Sequence, residues 1–242
     1  MNSFNSYEDT ERAKTYAKLE FPGTYYLAFR DIPQLIADHV CGPRALDFGC
    51  GTGRSTRFLK ELGFDTTGID ISKEMIQLAR DADPDGDYQQ IEDGTIGEFP
   101  PETFDLILSA FTFDNIPTGE KKAGILRAMR RVLKPGGAFV NLVSSPDIYT
   151  HEWASFSTKD YPENKNAKTG DKVKIIITAT EDKRPVEDIV WTDKSYREIY
   201  AQAGLNPLIT HKPLAKPEEP YPWVNETQIP PWVIYVLKKK ES

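Results

Sequence analysis

Two cysteines in 242 residues, Cys41 and Cys50, exclude a disulfide framework, and no Cys/His spacing of a metal site is present. No apolar run approaches the ~20 residues that a bilayer span requires, so no membrane partner is expected. The N-terminus is polar and charged, without an apolar core segment or cleavage site, so the expected location is cytoplasmic. Positive charge is the minority: 30 Lys and Arg stand against 37 Asp and Glu, a net charge of -7. Proteins that track a nucleic acid backbone are usually basic, so the balance counts against an RNA or DNA partner. There is no internal repeat, no catalytic triad and no Gly-Lys-Ser/Thr phosphate loop.

What is present is 39% hydrophobic residues, enough for one α/β domain with a small insertion. The chain is organised around Arg44-Ala-Leu-Asp-Phe-Gly-Cys-Gly-Thr-Gly-Arg-Ser-Thr56. Ala45–Phe48 reads as a buried strand, Gly49, Gly51 and Gly53 as a tight turn, and Ser55–Leu62 as an amphipathic helix. Such a turn brings backbone close to a ligand, and the helix start offers free N–H groups. A dinucleotide site needs G-x-G-x-x-G, and that spacing fails from Gly49, at Arg54, and from Gly51, at Thr56. Asp47, just before the glycines, would repel a pyrophosphate and attract an ammonium group.

Leu46-Asp-Phe-Gly-Cys-Gly-Thr-Gly53 closely resembles the first motif of class I S-adenosylmethionine-dependent methyltransferases. Leu133-Lys-Pro-Gly-Gly-Ala-Phe139 is a second landmark similar to that family, and residues 44 to 144 carry the resemblance. The resemblance implies a Rossmann-like, doubly wound α/β sheet of about seven strands with an antiparallel C-terminal strand. An N-terminal helical lid and a β-hairpin insertion complete the expected architecture. The expected segments of this single domain are a lid at 1–40, a cofactor core at 41–144, an insertion or cap at 145–192, and the rest of the sheet at 193–242. The expected N-terminal helices are Asp9–Leu19 and Tyr25–Val40. Lys134-Pro-Gly-Gly137 is expected to end the helix Glu120–Leu133 through a C′ glycine.

The family's cofactor is S-adenosyl-L-methionine, leaving as S-adenosyl-L-homocysteine. By resemblance the glycine loop lies under its methionine part and Asp47 reads its amino group. Asp70, at the end of the second strand, is placed to accept two ribose hydroxyls. Ile71 and Met75 would flank the adenine, and Asp93 with Gly94 would meet its edge, Glu92 lying one residue off. Ser109-Ala-Phe-Thr-Phe-Asp-Asn-Ile-Pro117 resembles the fourth motif, with Ser109 on the cofactor side. Phe111, Phe113, Asp114 and Asn115 would wall the active site, joined by Trp153 from the insertion. Tyr16, Tyr25, Tyr26 and Arg30 are lid candidates for the cofactor carboxylate. His151 and Asp114 are the candidate general bases, with Tyr149 behind them.

Methyl transfer from a sulfonium needs positioning more than acid–base machinery, which agrees with the missing triad. The expected activity is transfer of a methyl group to O or N of a small-molecule acceptor, by a monomer or homodimer. Two alternatives remain open at this stage: a transfer RNA nucleoside methyltransferase, and a non-methylating binder with the same fold.

Overall fold

The structure, a computed structural model, describes residues 22–240; the expected helix Asp9–Leu19 and the lid candidate Tyr16 lie outside the described residues. Two helices open it, α1 (Thr24–Arg30) and α2 (Ile32–His39). The sequence predicted one helix here. It breaks at Asp31 because Pro33 has no N–H to give to the preceding turn and its ring crowds that turn's carbonyl.

A regular alternation follows: β1 (Arg44–Phe48), α3 (Arg54–Glu61), β2 (Asp65–Asp70), α4 (Lys73–Ala82), β3 (Asp87–Gln90), β4 (Phe104–Ala110), α5 (Gly119–Val132) and β5 (Leu133–Ser144). Short helical turns at Thr112–Asn115 and Pro146–Tyr149 follow β4 and β5. Next come β6 (Phe156–Ser157), β7 (Lys172–Ile177) and β8 (Val186–Ile189), then α6 (Asp193–Gln202), β9 (Leu205–His211) and β10 (Trp232–Lys239).

The main sheet has seven strands in the order β3-β2-β1-β4-β5-β10-β9. β1 to β5 pair in parallel, whereas β10 runs antiparallel to both neighbours. The strand order reverses between β1 and β4, so their carboxyl ends open a crevice, the usual ligand position of such sheets. The expected doubly wound sheet with an antiparallel C-terminal strand is what the chain forms. The hairpin β7–β8 is present too, extended to three strands by β6.

Side chains alternate across the sheet as the strand period requires. In β4, Leu106 and Leu108 face the layer of α1 and α2 and Ile107 faces that of α5 and α6, which Phe104 joins because the register shifts between Phe104 and Leu106. The helix starts follow from local chemistry. Ser72, Thr118 and Thr192 each accept a backbone N–H three residues on, from Met75, Lys121 and Ser195, contacts worth about 1 kcal/mol apiece. One terminus departs from expectation: α5 ends at Val132 with Leu133 already extended (φ -69°, ψ 135°), not through a C′ glycine. Lys134, standing before Pro135, is pushed to extended backbone, so the strand begins at once. Gly136 makes its turn within β5.

Candidate active site

The crevice at the carboxyl ends of β1, β2 and β4 holds a cavity of about 170 Å³. The glycine loop forms its floor. Gly49, Gly51 and Gly53 have φ of 71°, 53° and 80°, the left-handed region that favours glycine. Each has a different reason. A Cβ on Gly49 would collide with the Thr112 side chain, and one on Gly53 would lie 2.6 Å from the Tyr88 hydroxyl oxygen. On Gly51 it would meet nothing within 4 Å among the described residues, because that residue faces the cavity.

Asp70 fixes the loop from the second strand. Its Oδ2 accepts from the Gly51 N–H at 2.9 Å, and its Oδ1 from the Ser72 N–H at 2.9 Å. Burial pushes its carboxyl above the usual range, with the backbone N–H donors pulling the other way. Each oxygen keeps an acceptor site beyond these bonds, and the residue lines the cavity with Ile71 and Met75.

Asp47 does not line the cavity. It is fully buried beneath the loop, where Ser55 Oγ and Thr56 Oγ1 both donate to its Oδ2 at 2.7 Å. Full burial raises its carboxyl to about 6. These two hydroxyl bonds tie it to the start of α3 under the glycines, and it does not border the cavity from which an ammonium group would be read directly. Ser109 is likewise fully buried, in the sheet interior between β1 and β5, with no cavity face.

Phe111 stands where the cavity meets a second, narrow cleft of about 30 Å³ under the β6–β8 insertion. Its φ of 63° is strained for a residue with a side chain, a cost of about 1–3 kcal/mol that tends to be kept at functional sites. Bonds from Phe111 N–H to Leu142 O and from Asp114 N–H to Phe111 O hold it there. Asn115 borders both spaces. Tyr25, Phe156 and Trp232 line the cleft on the apolar side, with ring centroids 4.8–5.9 Å apart when Phe111 is included. Asp114, Ser144, Tyr149 and Asp188 supply its polar side.

Asp114 accepts from the Ser144 N–H at 2.9 Å and from the Tyr196 hydroxyl at 3.4 Å. Burial raises its carboxyl to about 6. Behind it lies Lys122, fully buried, donating to the Phe113 carbonyl and standing 4.6 Å from the Trp191 ring centroid. Burial lowers the Lys122 ammonium to about 7, with attraction to Asp114 opposing the shift. Each is a buried charge whose attraction to the other offsets part of its desolvation, so removing one leaves the other less compensated. Lys122→Met is therefore expected to lower the melting temperature sharply. The double variant Asp114→Asn/Lys122→Met should recover most of the loss, as thermal unfolding of the three proteins would show.

Several other expected site residues are placed elsewhere. Phe113 is fully buried between Phe48 and Phe139, because a helical turn directs it into the α5 side of the core. Trp153 is buried, its indole N–H given to the Ile148 carbonyl at 2.8 Å, and lines neither space. His151 turns to the Thr150 hydroxyl and the Asp147 carbonyl, again outside both. Arg30 is held by Asp31 at 2.8 Å and Glu219 at 2.7 Å, pinning α1 to the loop before β10. Asp93 pairs with Lys121 at 2.5 Å on the surface, and neither it nor Gly94 borders the cavity. Tyr25 reaches the second cleft, not the first, and Tyr26 packs against Tyr221.

Three residues were not singled out from the sequence. Thr112 lies against Gly49, its hydroxyl donating to the Phe48 carbonyl at 3.0 Å. Arg54 opens α3 at the cavity wall, its guanidinium 5.5 Å from the Tyr25 ring centroid. Asp188 comes from β8 and accepts from the Tyr149 hydroxyl at 3.1 Å. Position 54 was available as a cation at the helix start. Asp188 sits in an alternating strand, where an acid reads as a solvent-facing residue.

Among the described residues no group of three or more His, Cys, Asp or Glu could hold a metal, and no helix is long and apolar enough to cross a membrane.

A seven-stranded sheet of this order with a glycine cradle under its switch point and an acid at the end of β2 defines a class of methyltransferase fold. Comparison with known proteins agrees. Residues 46–141 match the family model of a methyltransferase domain. The chain is 32% identical over 187 residues to the ubiquinone biosynthesis O-methyltransferase of Nitrosococcus oceani, covering 73% of each. It is 26% identical over 220 residues to the N-demethylindolmycin N-methyltransferase of Streptomyces griseus, covering 90% of this chain and 92% of that one. An S-adenosylmethionine-dependent methyltransferase structure from Mesorhizobium loti superposes with a TM-score of 0.60 at 22% identity, over 88% of this chain and 98% of that one. The chain belongs to the class I S-adenosylmethionine-dependent methyltransferases.

Proposed function

We propose that the first cavity binds S-adenosyl-L-methionine and that a small-molecule acceptor enters the cleft beyond Phe111, to be methylated on O or N. One observation carries the reading of the donor site: Gly51 presents bare backbone, with φ of 53° and open space above it, beside the Asp70 carboxylate in the same cavity. The remaining acceptor capacity of Asp70 suits the two ribose hydroxyls. Ile71 and Met75 offer apolar faces for the adenine. Arg54 and the start of α3 supply positive charge for the amino acid carboxylate. S-adenosylmethionine, when bound, supplies a methyl group already activated on a sulfonium.

The protein's own part is then position and exclusion of water. Phe111, fixed by its two backbone bonds, separates the donor and acceptor spaces, and Asn115 borders both. At about 30 Å³ the acceptor cleft admits little more than a water. The acceptor must therefore displace side chains of the aromatic wall as it enters. Matched relatives act on both atom types, one being named an O-methyltransferase and another an N-methyltransferase.

Transfer of labelled methyl from S-adenosylmethionine to a panel of small aromatic amines, phenols and carboxylates tests the proposal. Product formation with any member, lost in Asp70→Ala, is the expected result. Tight cofactor binding with transfer to transfer RNA only would contradict it.

A further inference from the structure

Glu226, in the loop before β10, is fully buried. A carboxylate has about four acceptor positions, and here donors from three separate segments take them. Oε1 accepts from the Thr24 hydroxyl at 2.7 Å, at the start of α1, and from the Ala154 N–H at 2.7 Å, in the insertion. Oε2 accepts from the Val224 and Asn225 N–H groups of its own loop, at 2.8 and 3.1 Å. Two of the segments are also bound directly to each other. Thr24 N–H donates to Ser155 Oγ and Ser155 N–H to Thr24 Oγ1, each at 3.1 Å. Gly23 permits that approach: its φ is 56°, and a Cβ there would lie 2.4 Å from the Ser155 hydroxyl oxygen. Asn225 Nδ2 joins the loop to the insertion once more, donating to the Glu152 carbonyl at 2.9 Å.

Glu226 lines neither the cavity nor the cleft, yet its clamp ends one residue from the cleft's aromatic wall. Tyr25 follows Thr24, and Phe156 follows Ser155. Their ring centroids are 5.0 Å apart, and they are the two wall rings not carried by the central sheet. The other two are tied to it: Phe111 follows β4, and Trp232 opens β10 opposite Ser144 of β5. The Trp232 indole N–H donates to the Thr24 carbonyl at 2.8 Å, which hangs the clamp on the sheet. A cleft of about 30 Å³ has to widen to admit an acceptor. A close-packed wall resists compression, so it widens by movement of the segments that carry Tyr25 and Phe156. The shared carboxylate makes those segments move together.

We propose that Glu226 is a positioning residue for the acceptor: it joins α1, the insertion and the loop before β10 into one cover that opens and closes over the cleft as a unit. This rests on the reading of that cleft as the acceptor site. With the clamp broken, each segment would fluctuate alone, and the acceptor would have to order the wall as it binds, a cost that lowers affinity. The glycine loop and Asp70 take no part in the clamp's bonds, so the donor cavity is spared. Phe111 keeps its place on the sheet, so an acceptor once bound still meets the methyl group correctly.

The test is hydrogen exchange of the full chain, read by mass spectrometry with and without S-adenosylhomocysteine. In wild type, peptides covering residues 24–30, 152–158 and 223–229 are expected to exchange with one opening constant, faster than β1 and β4. Glu226→Gln sets an amide NH2 where one pair of donors needs an acceptor. It should speed all three peptides at least tenfold and leave β1, β4 and the S-adenosylhomocysteine affinity within threefold. With a panel acceptor that the wild type methylates, its KM should rise at least tenfold and its kcat stay within threefold. Wild-type constants that differ more than tenfold among the three peptides overturn the proposal. So does a variant that exchanges as wild type does, that speeds sheet and cover alike, or that keeps the wild-type KM. Should the variant fail to fold, the wild-type constants still decide. Failure of the underlying reading looks different: S-adenosylhomocysteine would then give no protection at residues 49–55 and no panel member would be methylated, whatever the cover peptides do.

Discussion

Asp70→Ala is expected to weaken S-adenosylhomocysteine binding by about 1–3 kcal/mol, roughly fivefold to 150-fold. The proposed ribose hydroxyls would lose their acceptor, and the Gly51 N–H would lose the carboxylate that aims it. The fold should suffer less than the site. Burial already penalises the Asp70 charge and raises its carboxyl, so removing the group relieves a desolvation cost while it frees two backbone donors. Asp70→Asn keeps one carbonyl oxygen and should fall between wild type and alanine. Titration calorimetry gives the affinities, and thermal unfolding shows whether the scaffold is intact. An alanine variant that binds as tightly as wild type would remove Asp70 from the cofactor site.

The second large effect separates two glycines of one turn. Gly51→Ala places a methyl group in open cavity space, so the fold bears only the left-handed backbone cost of about 1–2 kcal/mol. In a chain of this size that is a fall of several degrees in melting temperature. Cofactor binding should drop more than tenfold, because the methyl group occupies the surface on which the ligand is proposed to lie. Gly49→Ala bears the same backbone cost, and its methyl group also meets the Thr112 side chain. Overpacking of that kind adds about 1–3 kcal/mol. Gly49→Ala should therefore unfold at the lower temperature, while Gly51→Ala should have the larger ratio of lost affinity to lost stability. Equal stability of the two variants would contradict the packing described for Thr112.

Much of the architecture was legible because it is written locally. The glycine turn, the β5 landmark and the hairpin insertion each announce their own backbone, and all formed near the expected places. The exceptions are also local: the break at Asp31 follows from Pro33, and the early end of α5 from Pro135. Site assignment was harder because strand ends and loop tips do not state which way a side chain turns. Asp47 and Asp70 both end a strand before a turn. Only the packing of α3 decides that Asp47 is buried under the loop while Asp70 borders the cavity. Phe111 and Phe113 are two residues apart, yet the helical turn after β4 sends one to the cleft and the other into the core. Asp188 and Asp114 meet only through the folding of the insertion over the sheet, a contact that no spacing in the chain encodes.

The central claim is that the glycine cradle and Asp70 form a site for S-adenosylmethionine. Its most direct test is parallel calorimetric titration of the purified chain, shown to be free of carried-over ligand, with S-adenosylmethionine, S-adenosylhomocysteine and NAD. Micromolar binding of the first two, with none for NAD, is the predicted result. Binding of NAD alone, or of none of the three, would contradict the claim.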